Sequence, residues 1–208
     1  MKKFVLASAS PRRKELLEQL GLRFDISVSN AEESCVKNES PELYVQELAL
    51  LKATASYQML QQDCYLISAD TVVCFEGRIL GKPKDRRDAA CMLHALSGNW
   101  HEVYTGFCIV RTKDGYTVCS HEKSRVKFLS LTDEMIAEYL NTNEPYDKAG
   151  AYGIQGLGAL LVEKIEGDYN NIVGLPLAKL NQVFLKEFNL NLMEESYEVV
   201  SAGKKNRT

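Results

Sequence analysis

The chain has 208 residues, 45% hydrophobic and 25% charged, with a formal net charge of -3. That length supports one large domain or two small lobes with a proper core, and the slight acidity excludes the overall basic field that drives sequence-independent nucleic-acid binding. Six cysteines without a C-x-x-C pair, no secretory leader and no apolar run of about 18 residues predict reduced thiols in a cytoplasmic protein outside the membrane, with no zinc or disulfide framework.

Phe4, Val5 and Leu6 predict a short strand, and Leu16, Leu17 and Leu20 recur at helical spacing before Gly21. Between them stands Ser8-Ala-Ser-Pro-Arg-Arg13. Ser10 suits the N-cap and Pro11 the first helical position. Two hydroxyls and two arginines therefore gather at a helix N-terminus, where free N–H groups and the positive dipole end attract an anion. The competing reading is a solvated arginine pair. Phe24, Ile26 and Val28 alternate as a half-buried strand, and the adjacent acids Glu32 and Glu33 follow.

Ser40-Pro41-Glu42 opens a second helix whose buried stripe is read as Tyr44, Leu48, Leu51 and Ala55. Lys52 lies at its edge, either snorkelling or turned into a cleft. An apolar strand over 64–69 delivers Asp70 and Thr71 near its end. If Glu76-Gly77 is a two-residue turn, counting outward sets Thr71 opposite Lys82 and makes Asp70 and Lys82 diagonal neighbours. An ordinary exposed ion pair is the alternative.

A third helix is expected over 85–96, then long strands over 103–111 and 117–128 joined through Asp114-Gly115. Thr132 caps a short helix, with Leu131 as a staple against Ile136. The segment 150–158 is glycine-rich but lacks the ending of a P-loop. A strand through Leu160, Leu161, Val162 and Ile165, a turn over 167–171 and a helix over 175–188 complete the order. Asp168 reads as a turn residue, and His94, His101 and His121 share no metal-ligand spacing. Residues 1–190 read as one domain and 191–208 as a polar, frayed tail. The loose alternation of strands and helices predicts an α/β fold with a mixed sheet.

The cations Arg12, Arg13, Lys52 and Lys82 and the acids Glu33 and Asp70 all fall near element ends. A nucleoside triphosphate, with about four negative charges and an accompanying Mg²⁺, wants that mixture of cations and carboxylates. The chain resembles the Maf family of nucleoside triphosphate pyrophosphatases through Ser8-Ala-Ser-Pro-Arg-Arg13, Ser68-Ala-Asp70-Thr71-Val-Val, Leu80-Gly-Lys82-Pro-Lys-Asp85, Leu96-Ser-Gly98 with His101-Glu-Val, Glu144-Pro-Tyr-Asp-Lys-Ala-Gly-Ala-Tyr-Gly-Ile-Gln155-Gly, and Gly167-Asp-Tyr-Asn-Asn-Ile-Val-Gly-Leu-Pro176. They run in the family's order across nearly the whole chain. Asn99-Trp100 and the residues after Leu190 depart from the pattern.

The resemblance implies an elongated, twisted mixed sheet flanked by helices, two lobes around a cleft, as in inosine triphosphate pyrophosphatases. It also implies hydrolysis of dTTP and UTP to nucleoside monophosphate and pyrophosphate with Mg²⁺ or Mn²⁺, a house-cleaning activity associated with septum formation, in a homodimer. In that reading Asp70, Lys82 and Glu33 are catalytic, Glu33 and Asp70 hold the metal, and Glu32 is the alternative to Glu33. Ser8, Ser10, Arg12, Arg13 and Lys52 bind substrate, while Arg12, Thr71 and Gln155 set specificity. A Gln amide both donates and accepts, matching the O4 and N3–H edge of uracil or thymine. A nucleotide-binding regulator without turnover and a pyrophosphatase with purine preference are the other two readings.

Overall fold

In the computed structural model, which describes residues 2–28, 31 and 40–196, strand β1 (Phe4–Leu6) runs into helix α1 (Pro11–Glu18) and the chain returns as β2 (Phe24–Ile26), parallel to β1. Helix α2 (Pro41–Tyr57) then carries it back to β3 (Tyr65–Phe75), which pairs in parallel on the other side of β1. The connections thus diverge at β1, and in open α/β sheets ligands gather at the carboxyl ends of the strands at such a switch point. Beyond β3 the sheet is antiparallel through β5 (Trp100–Arg111), β6 (Tyr116–Phe128) and β7 (Val162–Glu166). The short β4 (Arg78–Leu80) folds back on β3, completing a mixed sheet of seven strands in the order β2-β1-β3-β5-β6-β7.

The two-residue period of the strands sorts side chains into two layers. Leu6, Ile67, Ala69, Val73, Phe107 and Ile109 enter the larger core, against Leu17 of α1, Leu93 of α3 (Arg86–Leu96), Ile136 of α4 (Asp133–Leu140) and Phe184. The last helices are α5 (Tyr169–Val173), α6 (Leu177–Phe188), which carries Phe184, and α7 (Leu192–Glu195). Val5, Leu66, Cys108 and Val110 alternate to the opposite face and meet Ala49 and Ala53 of α2. That helix crosses so closely that a Cβ on Gly106 would sit 2.4 Å from the Val45 backbone.

Close approach also rotates the buried stripe of α2. It consists of Val45, Leu48, Ala49, Ala53 and Ser56 in place of the expected Tyr44, Leu51 and Ala55, because small side chains let the helix reach the sheet. Lys52 therefore lies within the sheet-facing arc, not at its edge.

Other elements differ from expectation for local reasons. On the edge strand β2, Phe24 packs on the core while Ile26 and the following Val28 are about half exposed, at 49% and 48%. Residues 156–161 form a 3₁₀ segment, so the last strand starts at Val162. The turn expected over 167–171 is the start of α5, with the Asp168 carboxylate accepting the Asn170 N–H at 2.8 Å as its cap. The segment read as a tail from 191 begins with α7, whose Leu192 is buried. Cys64, Cys74, Cys91, Cys108 and Cys119 are free thiols, and burial raises the pKa of Cys64 and Cys74. No helix among the described residues is long and apolar enough to cross a membrane.

His101 is buried edge-on between Phe128 and Tyr152 and shares Nε2 with the Tyr152 hydroxyl at 2.7 Å. Burial lowers its pKa from 6.5 to about 4. The folded value lies below the unfolded one, so the unfolded chain takes up the proton first as pH falls, and up to about 3 kcal/mol of stability is lost between pH 6.5 and 4. The melting temperature followed by circular dichroism should fall more steeply across that window than it does in a His101→Gln variant. Parallel curves would contradict this account.

Candidate active site

Strand β3 has one interrupted edge. β1 pairs with it only through Ile67, after which the Ala7 N–H reaches the Ile67 carbonyl at 2.7 Å, and β4 joins only at Val73. Residues 68–72 keep β5 on one side and, among the described residues, no strand on the other. A cleft of about 780 Å³ opens there, within the range of small-molecule sites. Its walls include Ser8, Ser10, Arg12 and Arg13 from the β1–α1 turn, Lys52 from α2, Asp70 and Thr71 from β3, Lys82 after β4, and Gln155. These are the residues singled out in the sequence, except Glu33 and its neighbour Glu32, which lie outside the described residues.

Strand alternation sends Asp70 and Thr71 to opposite faces, each to its own partner. Asp70 turns toward α2, where its Oδ1 accepts from the Lys52 ammonium; the two side chains are 15% and 19% exposed. The lysine alternative of snorkelling is thereby replaced by the cleft. Thr71 turns toward α1, where its Oγ1 accepts from Arg13 Nη2 at 3.0 Å and lies 2.9 Å from Thr105 Oγ1. Thr105, fully buried, donates to the Asn171 carbonyl at 2.8 Å. Its single proton is thus committed, so Thr71 must be the donor to Thr105. The chain of donation runs from Arg13 through Thr71 and Thr105 to the backbone of α5.

Arg13 is anchored further by Nε to the Gly174 carbonyl at 2.8 Å and Nη1 to Ser8 Oγ at 3.2 Å. Ser10 caps α1 as expected, its Oγ accepting from the Arg13 N–H at 3.5 Å.

Asp70 and Lys82 are not the diagonal hairpin neighbours expected from the sequence. The turn and register are as counted, but the ladder stops at Val73 and Leu80, and Asp70 sits mid-strand opposite Gly106 of β5. Pro83 has no N–H to extend the ladder, and the Gly81 carbonyl is drawn away by the Gly150 N–H at 3.0 Å. Lys82 meets Asp70 only across the cleft. It is exposed and makes no hydrogen bond or ion pair among the described residues.

Two charged cleft residues, Asp147 and Lys148, were given no role from sequence, although both lie in the quoted 144–156 motif. One Asp147 carboxylate oxygen faces Arg12 Nη1 at 3.4 Å and the other accepts from Lys148 Nζ at 2.6 Å. Burial acts to raise the Asp147 pKa, but Lys148 and then Arg12 outweigh it and hold the carboxyl below its ordinary range. Lys148 also donates to the Glu144 carbonyl at 2.7 Å. The described cleft wall thus carries Arg12, Arg13, Lys52, Lys82 and Lys148 against Asp70 and Asp147, an excess of three positive charges on an acidic chain. Among the described residues no three His, Cys, Asp or Glu side chains converge to cage a metal by themselves.

The chain matches a known protein family and curated relatives. The Maf-like protein family matches residues 3–187. A dTTP/UTP pyrophosphatase of Thermoanaerobacter sp. (strain X514) is 51% identical over 191 residues, covering 92% of this chain and 100% of that protein. A dTTP/UTP pyrophosphatase of Alkaliphilus metalliredigens is 48% identical over 193 residues, covering 93% and 100%. Among solved structures, the Ham1 protein of Staphylococcus aureus aligns over 100% of both chains with a TM-score of 0.48 and 13% identity.

Proposed function

The chain belongs to the Maf-like protein family, and on that premise we propose that it hydrolyses dTTP and UTP between the α- and β-phosphates, releasing the nucleoside monophosphate and pyrophosphate. The observation that supports this reading is the excess of cations around a single strand-borne carboxylate, Asp70, at the interrupted edge of β3. A mere anion binder has no use for that acid. An enzyme that must place a water against a polyanion does.

Water attacks the α-phosphorus, the bond from that phosphorus to the bridging oxygen breaks, and pyrophosphate departs with the electron pair. Asp70 orients the water and takes its proton, with Lys52 fixing the carboxylate by the bond to Oδ1. Arg12, Arg13 and Lys82 stabilise the charge gathering on the phosphates, the arginines as forks and the lysine as a point charge. Ser8 and Ser10 belong to the same turn. Arg12, Thr71 and Gln155 set the preference for the pyrimidine.

The donor set fits a divalent ion carried by the substrate. Mg²⁺ is usually bound by one or two carboxylates together with phosphate oxygens, and Asp70, with Glu33 as the proposed second acid, would supply them. When bound, Mg²⁺ or Mn²⁺ makes the water more acidic and the phosphorus more electrophilic. In this reading residues 1–190 form the catalytic unit of a cytoplasmic homodimer that acts on free nucleotides.

The test is pyrophosphate release from canonical and modified triphosphates, with and without a chelator. dTTP and UTP should exceed CTP, ATP and GTP in kcat/KM by about tenfold or more, and the chelator should abolish release. A purine ranked first would overturn the assignment. Tight UTP binding without product would favour the regulator.

A further inference from the structure

Gln155 makes no side-chain hydrogen bond among the described residues and does not cap the 3₁₀ segment that follows it. Its direction is therefore set by the loop that carries it. That loop is pinned from behind on both sides of Gln155. On one side the Gly153 N–H donates to the Tyr139 hydroxyl at 3.2 Å. On the other, the Leu157 and Gly158 N–H groups donate to the two Glu144 carboxylate oxygens at 3.0 and 3.1 Å. The two pins are joined, since the Tyr139 hydroxyl donates to Glu144 Oε2 at 3.3 Å.

The glycines in this loop are a consequence of the pins. A Cβ on Gly156 would lie 2.5 Å from Glu144 Oε1. A Cβ on Gly158 would lie 2.1 Å from the Gly153 carbonyl oxygen and 2.8 Å from the Tyr139 hydroxyl. Glu144 is an effective acceptor at neutral pH: burial acts to raise its pKa, but the Leu157 and Gly158 N–H groups, the Tyr139 hydroxyl and the Lys148 charge together bring it below its ordinary range. Tyr139 is buried in α4 at 4% exposure. Neither side chain lines the cleft, so whatever they contribute to substrate passes through the backbone between them.

We propose that Glu144 and Tyr139 are positioning residues for base selection, a clamp that holds Gln155 against the pyrimidine edge; this rests on the reading of Gln155 as the base-facing amide. Loosening the clamp lets Gln155 sample other directions, which costs uridine recognition while leaving the phosphate-binding turn and Asp70 in place.

The experiment compares UTP with CTP, which differ only at the base edge, in the full chain and in Gln155→Ala, Glu144→Ala, Glu144→Gln and Tyr139→Phe. Gln155→Ala should lower the UTP-to-CTP ratio of kcat/KM by about tenfold or more. Glu144→Ala should reproduce that fall through a higher KM for UTP, with kcat within about threefold of the parent, and Glu144→Gln, which keeps one carbonyl acceptor, should recover part of it. Tyr139→Phe serves as the second probe where Glu144→Ala lowers the melting temperature too far to assay. If Gln155→Ala lowers the ratio and the Glu144 and Tyr139 variants keep the parent's, the clamp is wrong. If Gln155→Ala itself keeps the parent ratio, the base-facing role of Gln155 is wrong and the clamp falls with it.

Discussion

Asp70→Asn is expected to slow pyrophosphate release from UTP by on the order of 10³-fold or more, while affinity for a non-hydrolysable UTP analogue stays within about tenfold of the parent. Asparagine keeps the size of the side chain and removes its charge and its capacity to accept a proton. Lys52 forces the choice of orientation. Its ammonium donates to Oδ1 in the parent, so the amide must turn its oxygen toward Lys52 and its NH₂ toward the substrate, where a donor now faces the water. The substitution thus removes the base and misdirects the nucleophile in one step. The proposed phosphate contacts belong to other elements, which is why binding should survive. Stopped-flow pyrophosphate detection gives the first quantity and calorimetry the second. An Asp70→Asn enzyme of parental activity would remove Asp70 from the mechanism.

What the sequence made legible is what short-range chemistry decides. The caps at Ser10 and Thr132 and the turns at Glu76-Gly77 and Asp114-Gly115 form where the side chains and glycines alone require them. The motif order located the described cleft residues for the same reason that it identified a family: residue types at fixed offsets. Tertiary contacts decided the remainder. The stripe of α2 is chosen by how close Gly106 lets the helix come, and no periodicity in α2 itself contains that information. The separation of Lys82 from the β3 ladder depends on a bond between Gly81 and Gly150, which lie far apart in sequence. Asp147 and Lys148 carry charge in a motif already noticed, yet only the meeting of that segment with α1 shows that Asp147 holds Arg12. The buried Thr105 hydroxyl becomes meaningful only once the β3–β5 register sets it opposite Thr71.

Arg13→Lys is expected to lower kcat/KM for UTP about 100-fold although it conserves charge, and to do so by more than Arg12→Lys. Arg13 uses all three guanidinium nitrogens within the protein, on the Gly174 carbonyl, the Ser8 hydroxyl and the Thr71 hydroxyl. These bonds tie the turn before α1 to β3 and to the end of α5. A lysine ammonium is a compact point charge that lacks the planar fork, and it cannot reach three acceptors spread in that geometry. Losing two charge-assisted bonds at about 1.5 kcal/mol each gives about 3 kcal/mol, which corresponds to roughly 100-fold. The loss should appear in kcat as well as KM, because Thr71 sits next to Asp70 on the strand and passes its hydrogen bond on to Thr105. Among the described residues Arg12 has a single partner, Asp147 at 3.4 Å, whose side chain is 60% exposed. A lysine can replace that contact nearly in full, and exposed pairs of this kind contribute only about 1 kcal/mol or less. Steady-state kinetics of the two variants side by side separate geometry from charge. Equal losses would mean that the three bonds Arg13 makes within the protein add nothing to catalysis beyond what Arg12 contributes, and the fork at Arg13 would then be a structural brace without catalytic consequence.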